Sequence, residues 1–438
     1  MRVDVRSLIE KWHKFMLGGL AVLVFLFGSV SMLVKPIDLN SGQTTSWWEV
    51  IKNVETGRGY KACQENYVPN CKLTDQYTAT REPVPVLLFA LIGLLTQNSV
   101  FAFQLVQIVA VMLILFGTFL LGREMGGLST GLLAAIMWAG YLPALRLESM
   151  VTGDLLEGLF VVFGCLKFAH ILKRGWTGDW LAFGILFGLA TLSRSAALIL
   201  VCALGLGYLV YVYIQKLNSA SIPAGWFKKA LISAFAFALV LSPWIIRNWL
   251  TFGEPVMGTT LTGYVLYRHN AMIATDASPH FVGSGEANQL VQEFIARHPE
   301  IMTSMNEVQV NHLFLDETWA LIKSHPGKYL MLSAYRFLPL WFNYSVDEGN
   351  GNNMSKWDYA IIFQQVVLLA AFIFGLLKHK NEIDLISLTG FSIIMYFIAY
   401  LAVQGQLRYT IPVAPEVIAI GAVGLLSILP RDVRELLP

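Results

Sequence analysis

The sequence predicts an all-α polytopic membrane protein, a bundle of about ten transmembrane helices, on three observations. Only 14% of its 438 residues are charged while 55% are hydrophobic, whereas a soluble chain carries roughly 25% Asp, Glu, Lys and Arg to cover its surface. The mean hydropathy is +0.58. Apolar stretches of about 20 residues, the length that crosses a hydrocarbon core, recur along almost the whole chain. Basic and acidic residues nearly cancel, 31 against 29 for a net charge of +2, so no global field argues for nucleic acid or an acidic polymer as partner.

The elements follow in order. The start, MRVDVRSLIEKWHK, places Arg2, Arg6, Lys11 and Lys14 ahead of the apolar run 15–34. This reads as a signal anchor with a cytoplasmic start, since cytoplasmic flanks carry the excess of Lys and Arg. Residues 35–98 then form a first outer loop, residues 99–249 a transmembrane core, residues 250–355 a large outer loop, and residues 356–438 the last spans and a cytoplasmic tail, after the N-terminal unit 1–34. Beyond the first, spans are predicted at 99–121, 129–147, 155–172, 179–193, 195–216, 230–249, 356–377, 384–403 and 411–429. Two stretches, 83–97 and 329–342, are about 15 residues long, short for a core of about 30 Å, and read as juxtamembrane helices. Inserting both gives a twelve-span alternative that turns the basic loops between 122 and 229 outward. With ten spans the inner loops hold Arg123, Lys173, Arg174, Lys216, Lys228, Lys229, Lys378 and Lys380, and both termini lie inside. In the large outer loop, GEANQLVQEFIARHPEIM and VNHLFLDETWALIKS repeat apolar residues at helical spacing. TFGEPVMGTTLTGY reads as a turn-rich loop and DEGNGNNMS as a connection or lid. No internal repeat is visible.

Charges are expensive at membrane depth and persist where they pair or serve a pathway. Arg146, Arg194, Arg247 and Arg408 reach the outer boundary from four different connections. Together they suit an anion at headgroup level, because a guanidinium stays charged and offers forked donors to phosphate oxygens. Taken singly, each equally fits an arginine snorkelling to the headgroups. A carboxylate on the same face would act as base toward an acceptor hydroxyl, with phosphate as leaving group. The candidates are Asp38, Glu49, Glu55, Asp75 and Glu82 in the first outer loop and Asp154 on the next outer connection. No His/Cys cluster has metal-ligand spacing and no phosphate-binding GxxxxGK[ST] or GxSxG elbow occurs, so no metal and no cofactor are predicted. Cys165 and Cys202 lie in apolar runs and read as buried thiols. Cys63 and Cys71 share one polar segment, KACQENYVPNC, that can close as a disulfide on an oxidising side, two free thiols being the alternative.

Several of these stretches together resemble the GT-C superfamily of membrane glycosyltransferases, in particular the bacterial branch related to protein O-mannosyltransferases and the lipid A aminoarabinose transferase. They are NVETGRGY at 53–60, REPVPVLLFA from Arg81, the Thr152-Gly153-Asp154 turn, the turn 192–195, PWIIRNWLTFG at 243–253, HPGKYLML, and RYTIP from Arg408. The resemblance implies a GT-C-like bundle in which a polyprenyl-phosphate-linked sugar enters between the spans and the first outer loop. Basic residues would hold its phosphate and a first-loop acid would act as base. One departure stands out: the family's Asp near the start of the first-loop helix has no counterpart in SGQTTSWWEV, so Asp38 or Glu49 supplies the carboxylate, with Asp38 preferred.

The expectation is therefore an inverting glycosyltransferase in a bacterial inner membrane, its site on the outer face, acting on a glycan, glycolipid or protein acceptor. Asp38, Glu49 and Asp154 are the expected acidic catalytic residues. Arg81, Glu82, Arg194, Arg247, Arg408, Tyr409, Tyr60 and Tyr267 are the expected donor-site residues, and His269 a hydrogen-bonding residue of the outer loop. The rivals are a flippase for a lipid-linked sugar, against which the absent repeat and the one-sided charges argue, and a non-catalytic assembly partner.

Overall fold

The computed structural model describes residues 5–39, 42–62, 76–147, 150–218, 224–275, 285–342, 356–430 and 433. Helix α1 (Val5–Val34) is followed by two shorter helices over the bundle end, α2 (Gly42–Glu55) and α3 (Pro83–Thr96). The core then runs through α4 (Val100–Gly126), α5 (Leu128–Ala139), α6 (Leu142–Leu147), α7 (Asp154–Lys173), α8 (Thr177–Ser193), α9 (Ala197–Leu217) and α10 (Trp226–Phe252). The segment expected as the large outer loop folds as α11 (Thr262–Asn270), α12 (Gly285–Arg297), α13 (Glu300–Thr303), α14 (Glu307–Ser324), α15 (Pro326–Tyr335) and α16 (Phe337–Phe342). Three helices close the chain, α17 (Lys356–Lys378), α18 (Leu385–Val403) and α19 (Ala414–Ile428), the last entered through a 3-10 turn, Leu407–Val413. Among the described residues the only β-type pairing is one isolated antiparallel bridge, Lys61 with Tyr77.

Eight of these helices are long and apolar enough to cross a membrane, and they coincide with eight of the ten expected spans. The other two are shorter. The expected span 129–147 breaks at Gly140 and Tyr141 into α5 and α6, and the 12 residues of α5 cover only about 18 Å at 1.5 Å per residue. Helix α8 has 17 residues. The stretch 83–97 is the single helix α3, and 329–342 divides between α15 and α16 around Arg336. Both amphipathic segments of the outer loop form as expected, with Val291, Phe294, Ile301, Val310 and Phe314 packing into one cluster under α11.

Burial orders the bundle. In the span ending with α19, 72% of the most apolar window is buried, against 22% in α10 and 28% in α1; α19 is the centre and the other two are peripheral. In lipid, close packing of small residues is what draws helices together. The α17–α19 crossing uses it: a Cβ on Gly375 would stand 2.4 Å from Ile420 O, and one on Gly424 2.4 Å from Ala371 O. Cys165 is buried as expected, but Cys202 lies on the exposed face of α9, because its apolar run faces outward there rather than into the bundle. Cys63, Cys71, Asp75 and DEGNGNNMS lie outside the described residues.

Candidate active site

At one end of the bundle a cavity of 840 Å³ is lined by the first outer loop, the α8–α9 turn, the large outer loop and the α18–α19 connection. Each wall follows from local sequence. In α2, Trp47, Val50 and Ile51 recur at helical spacing and bury against Val86, Phe89 and Phe103. This leaves Thr45, Ser46 and Glu49 on the cavity side. Helix α3 starts at Pro83, which fits a first turn because its missing N–H has no helical partner there. Glu82 before it is extended and makes no capping bond. Its Oε1 instead accepts from Ser195 N at 3.0 Å and Ser195 Oγ at 3.2 Å. That contact puts the first outer loop and the α8–α9 turn on one side, which the twelve-span alternative would place on opposite sides of a membrane.

Arg194 ends α8 in an extended conformation, so the chain reverses within two residues and the guanidinium stays at the bundle end. Its Nη1 donates to Asp154 Oδ1 at 2.5 Å and its Nε to Tyr400 Oη at 3.3 Å. Gly153 makes this pair possible: a Cβ there would stand 2.2 Å from Ser193 O. Asp154 is fully buried at the head of α7 and does not line the cavity. The Arg194 and Arg408 guanidinium carbons lie 4.6 and 4.8 Å from the Tyr409 ring centroid. Tyr409 in turn stacks on Tyr400 at 4.5 Å. Arg408 Nη2 donates to Tyr409 Oη at 2.8 Å, while Arg408 Nε is buried without a partner. Arg81 donates to Ser46 Oγ at 2.6 Å and lies over the Trp47 ring.

Of the residues expected from sequence, Glu49, Arg81, Glu82, Arg194, Arg408 and Tyr409 line this one cavity. Others do not. Asp38 is exposed on the linker before α2 and lines no part of the cavity. Arg247 lines a shallow recess with Tyr77 and Leu250; it donates to Thr78 O, Tyr60 O and Asn248 Oδ1, so it holds the first outer loop against α10. Tyr60 donates to Arg81 O at 2.8 Å and braces Arg81 from behind; burial raises its phenol well above the usual range, and the Glu82 charge adds to this. Tyr267 packs between Phe294 and Phe314 in the outer-loop core.

The outer-loop wall was not legible as a site. Helix α11 presents Thr262, Val265, Arg268 and His269 to the cavity, joined by Asn288, Gln404 and Gln406. Two buried charges hold this wall. Glu307 Oε2 accepts from Ala79 N at 2.8 Å and Thr260 Oγ1 at 2.6 Å, clasping the two outer loops, and burial raises its carboxyl above the usual range. Arg336, 1% exposed, donates to Leu401 O and Ala402 O at the end of α18, to His269 O and to Asn270 Oδ1. Burial lowers it to about 10, still charged at neutral pH. Among the described residues one trio with metal-ligand geometry occurs, His379, Glu382 and Asp384. It sits at the opposite end of α18, whose first cavity-lining residue, Ala399, stands about 21 Å along the helix from Leu385.

The archaeal oligosaccharyltransferase AglB from Archaeoglobus fulgidus, in complex with an inhibitory peptide and a dolichol-phosphate, matches with a TM-score of 0.53 at 16% identity, over 96% of this chain and 50% of that chain. The same enzyme tethered to an acceptor peptide containing the NVT sequon gives 0.52 at 16% identity, over 97% of this chain and 50% of that one. The chain shares the fold of these structures. It spans about half the length of these oligosaccharyltransferase structures. The family described as dolichyl-phosphate-mannose-protein mannosyltransferase matches residues 80–246, a segment that takes in Arg81, Glu82, Asp154 and Arg194. ArnT from Cupriavidus metallidurans bound to undecaprenyl phosphate is similar with a TM-score of 0.43 at 11% identity, over 95% of this chain and 78% of that chain. No curated protein matches the sequence.

Proposed function

We propose that this protein is an inverting membrane glycosyltransferase that moves a sugar from a polyprenyl-phosphate donor to a glycan, glycolipid or protein acceptor. The observation that carries the reading is the cavity lined by Arg81, Arg194 and Arg408 together with the carboxylates Glu49 and Glu82 at one end of an apolar bundle. Three guanidiniums suit a phosphate that gains charge as it leaves, and charge-assisted donors fixed in advance stabilise such a transition state. Arg408 Nε, buried and unpartnered, is a donor open to that anion. Glu49 takes the proton from the acceptor hydroxyl as its oxygen attacks the anomeric carbon. The bond from that carbon to the phosphate oxygen breaks, and the lipid phosphate departs with the electron pair. Asp154, paired with Arg194, orients the guanidinium and does not act as base.

The donor's chain would lie in the membrane beside the bundle with its phosphate at the end occupied by the cavity. We place that end on the outer face of a bacterial inner membrane, with both termini inside. This is supported by Lys173, Lys216, Lys228, Lys229, Lys378 and Lys380, which cluster at the helix ends remote from the cavity, as inner loops do. The test is transfer from a panel of radiolabelled polyprenyl-phosphate sugars to envelope extracts, using purified protein in lipid. Glu49→Gln should lose roughly 100-fold or more in rate, the scale of a general base, and Asp38→Asn should keep wild-type transfer. Full activity of Glu49→Gln would remove it as the base. Movement of the lipid across the bilayer with no glycosidic product from any donor would replace transfer by transport.

A further inference from the structure

One buried polar atom of the cavity has no role in this chemistry. His269, 5% exposed, lines the cavity from the last turn of α11. Its Nδ1 lies 2.8 Å from Val265 O. A carbonyl oxygen only accepts, so Nδ1 carries the hydrogen and Nε2 carries the lone pair. That Nε2 is buried without a hydrogen-bond partner. The ring is held by Nδ1 on Val265 O, and the carbonyl of the same residue accepts from Arg336 Nη2 at 2.7 Å. A buried acceptor left without a donor is destabilising, and this one belongs to a side chain that lines a cavity in which a ligand brings its own donors.

The surroundings narrow the chemistry of that donor. Burial, with smaller contributions from the charges of Arg336, Arg268 and Arg408, lowers the His269 imidazole to about 3, so it is neutral at physiological pH. A cationic ligand group would be repelled by three guanidiniums, and an anion would meet the Nε2 lone pair. Arg336 is committed to five protein oxygens and Arg268 Nε donates to Asn288 Oδ1 at 2.8 Å. A hydroxyl fits: it is uncharged and donates to Nε2 while its oxygen still accepts.

We propose that His269 Nε2 accepts a hydrogen bond from a ring hydroxyl of the sugar carried on the lipid phosphate, which makes His269 a specificity-determining residue on the α11 wall of the cavity. The proposal rests on the reading of the cavity as a lipid-linked-sugar site, and it separates sugar recognition by α11 from phosphate recognition by Arg81, Arg194 and Arg408.

The experiment measures the binding of two kinds of lipid to the full chain in nanodiscs: undecaprenyl phosphate, and undecaprenyl phosphate bearing mannose, glucose, galactose or 4-aminoarabinose. If no sugar-bearing lipid binds wild type more tightly than undecaprenyl phosphate, the lipid-linked-sugar reading itself fails. With the tightest sugar lipid, His269→Phe should weaken binding about tenfold or more while undecaprenyl phosphate binds within twofold of wild type. His269→Gln, which offers an amide oxygen near the Nε2 position, should recover part of the loss. Two results overturn the proposal while leaving the cavity reading intact: His269→Phe binding the sugar lipid as wild type does, or His269→Phe losing both lipids equally, which would mark a structural histidine. Should His269→Phe fail to fold, His269→Gln and His269→Ala decide it, since only the first of these should retain preference for the sugar lipid.

Discussion

Arg194 and Arg247 look alike in the sequence, each an arginine at the outer end of an apolar helix, and they do different things. Arg194 reaches a cavity and is held by a buried aspartate; Arg247 is spent on backbone carbonyls. Losing one partner of a buried ion pair leaves the other charge uncompensated, at a cost of about 3–5 kcal/mol. Because Arg194 keeps a little exposure, Asp154→Asn should fall at the lower end, visible as a drop in melting temperature in detergent, together with weaker binding of undecaprenyl phosphate. His269 makes a pH prediction whose sign is fixed. Its folded-state value of about 3 lies below the unfolded value of about 6.5, so the unfolded chain binds the extra proton between them. Stability is therefore fully present above about pH 6.5 and declines as pH falls toward 3. Melting curves between pH 7.5 and 5 should show a loss in wild type that is smaller in His269→Gln; identical pH profiles would contradict it. The sequence made His269 legible only as a polar loop residue, because neither its tautomer nor its orphaned nitrogen exists before α11 is docked.

At the scale of elements, helix ends build the site. The start of α7, the end of α8, the end of α18 and the turn into α19 meet at one place, and each is shaped by a local rule: a glycine, an extended residue, or an arginine cap. Cationic side chains suit helix C-termini, where the last carbonyls lack partners, which is what Arg336 supplies to α18. Gly153 is the most exacting of these positions. Gly153→Ala should force the α7 start away from Ser193 O, lowering the melting temperature and transfer together. Gly178→Ala, in the first turn of α8 where an added Cβ meets nothing within 4 Å, should leave transfer unchanged and raise stability by about 0.5–1 kcal/mol. Equal behaviour of the two variants would show that close approach at Gly153 is unimportant. The elements themselves were legible, since span length and helical periodicity are local properties. The break of 129–147 was not, because α5 and α6 are each apolar and only their packing separates them.

At the scale of the whole molecule, the ten-span order puts every cavity wall on one side, and it is testable without activity. In a variant whose own cysteines are replaced by serine, Asn288→Cys should react with a membrane-impermeant maleimide on intact cells, and Lys380→Cys only after permeabilisation. Protection of position 288 until the membrane is opened would restore the twelve-span order, which puts the large outer loop inside. The sequence by itself determined the membrane class, the positions of the long apolar helices and the family resemblance, because hydropathy, length and short motifs act within one stretch of chain. It also supplied six of the cavity residues. Only the tertiary structure decided between Glu49 and Asp38 as the carboxylate facing the cavity, turned Arg247, Tyr60 and Tyr267 into braces, and added the α11 wall. These depend on which face of a helix meets which neighbour, and in a bundle whose helices are apolar on nearly every side, packing alone fixes that rotation.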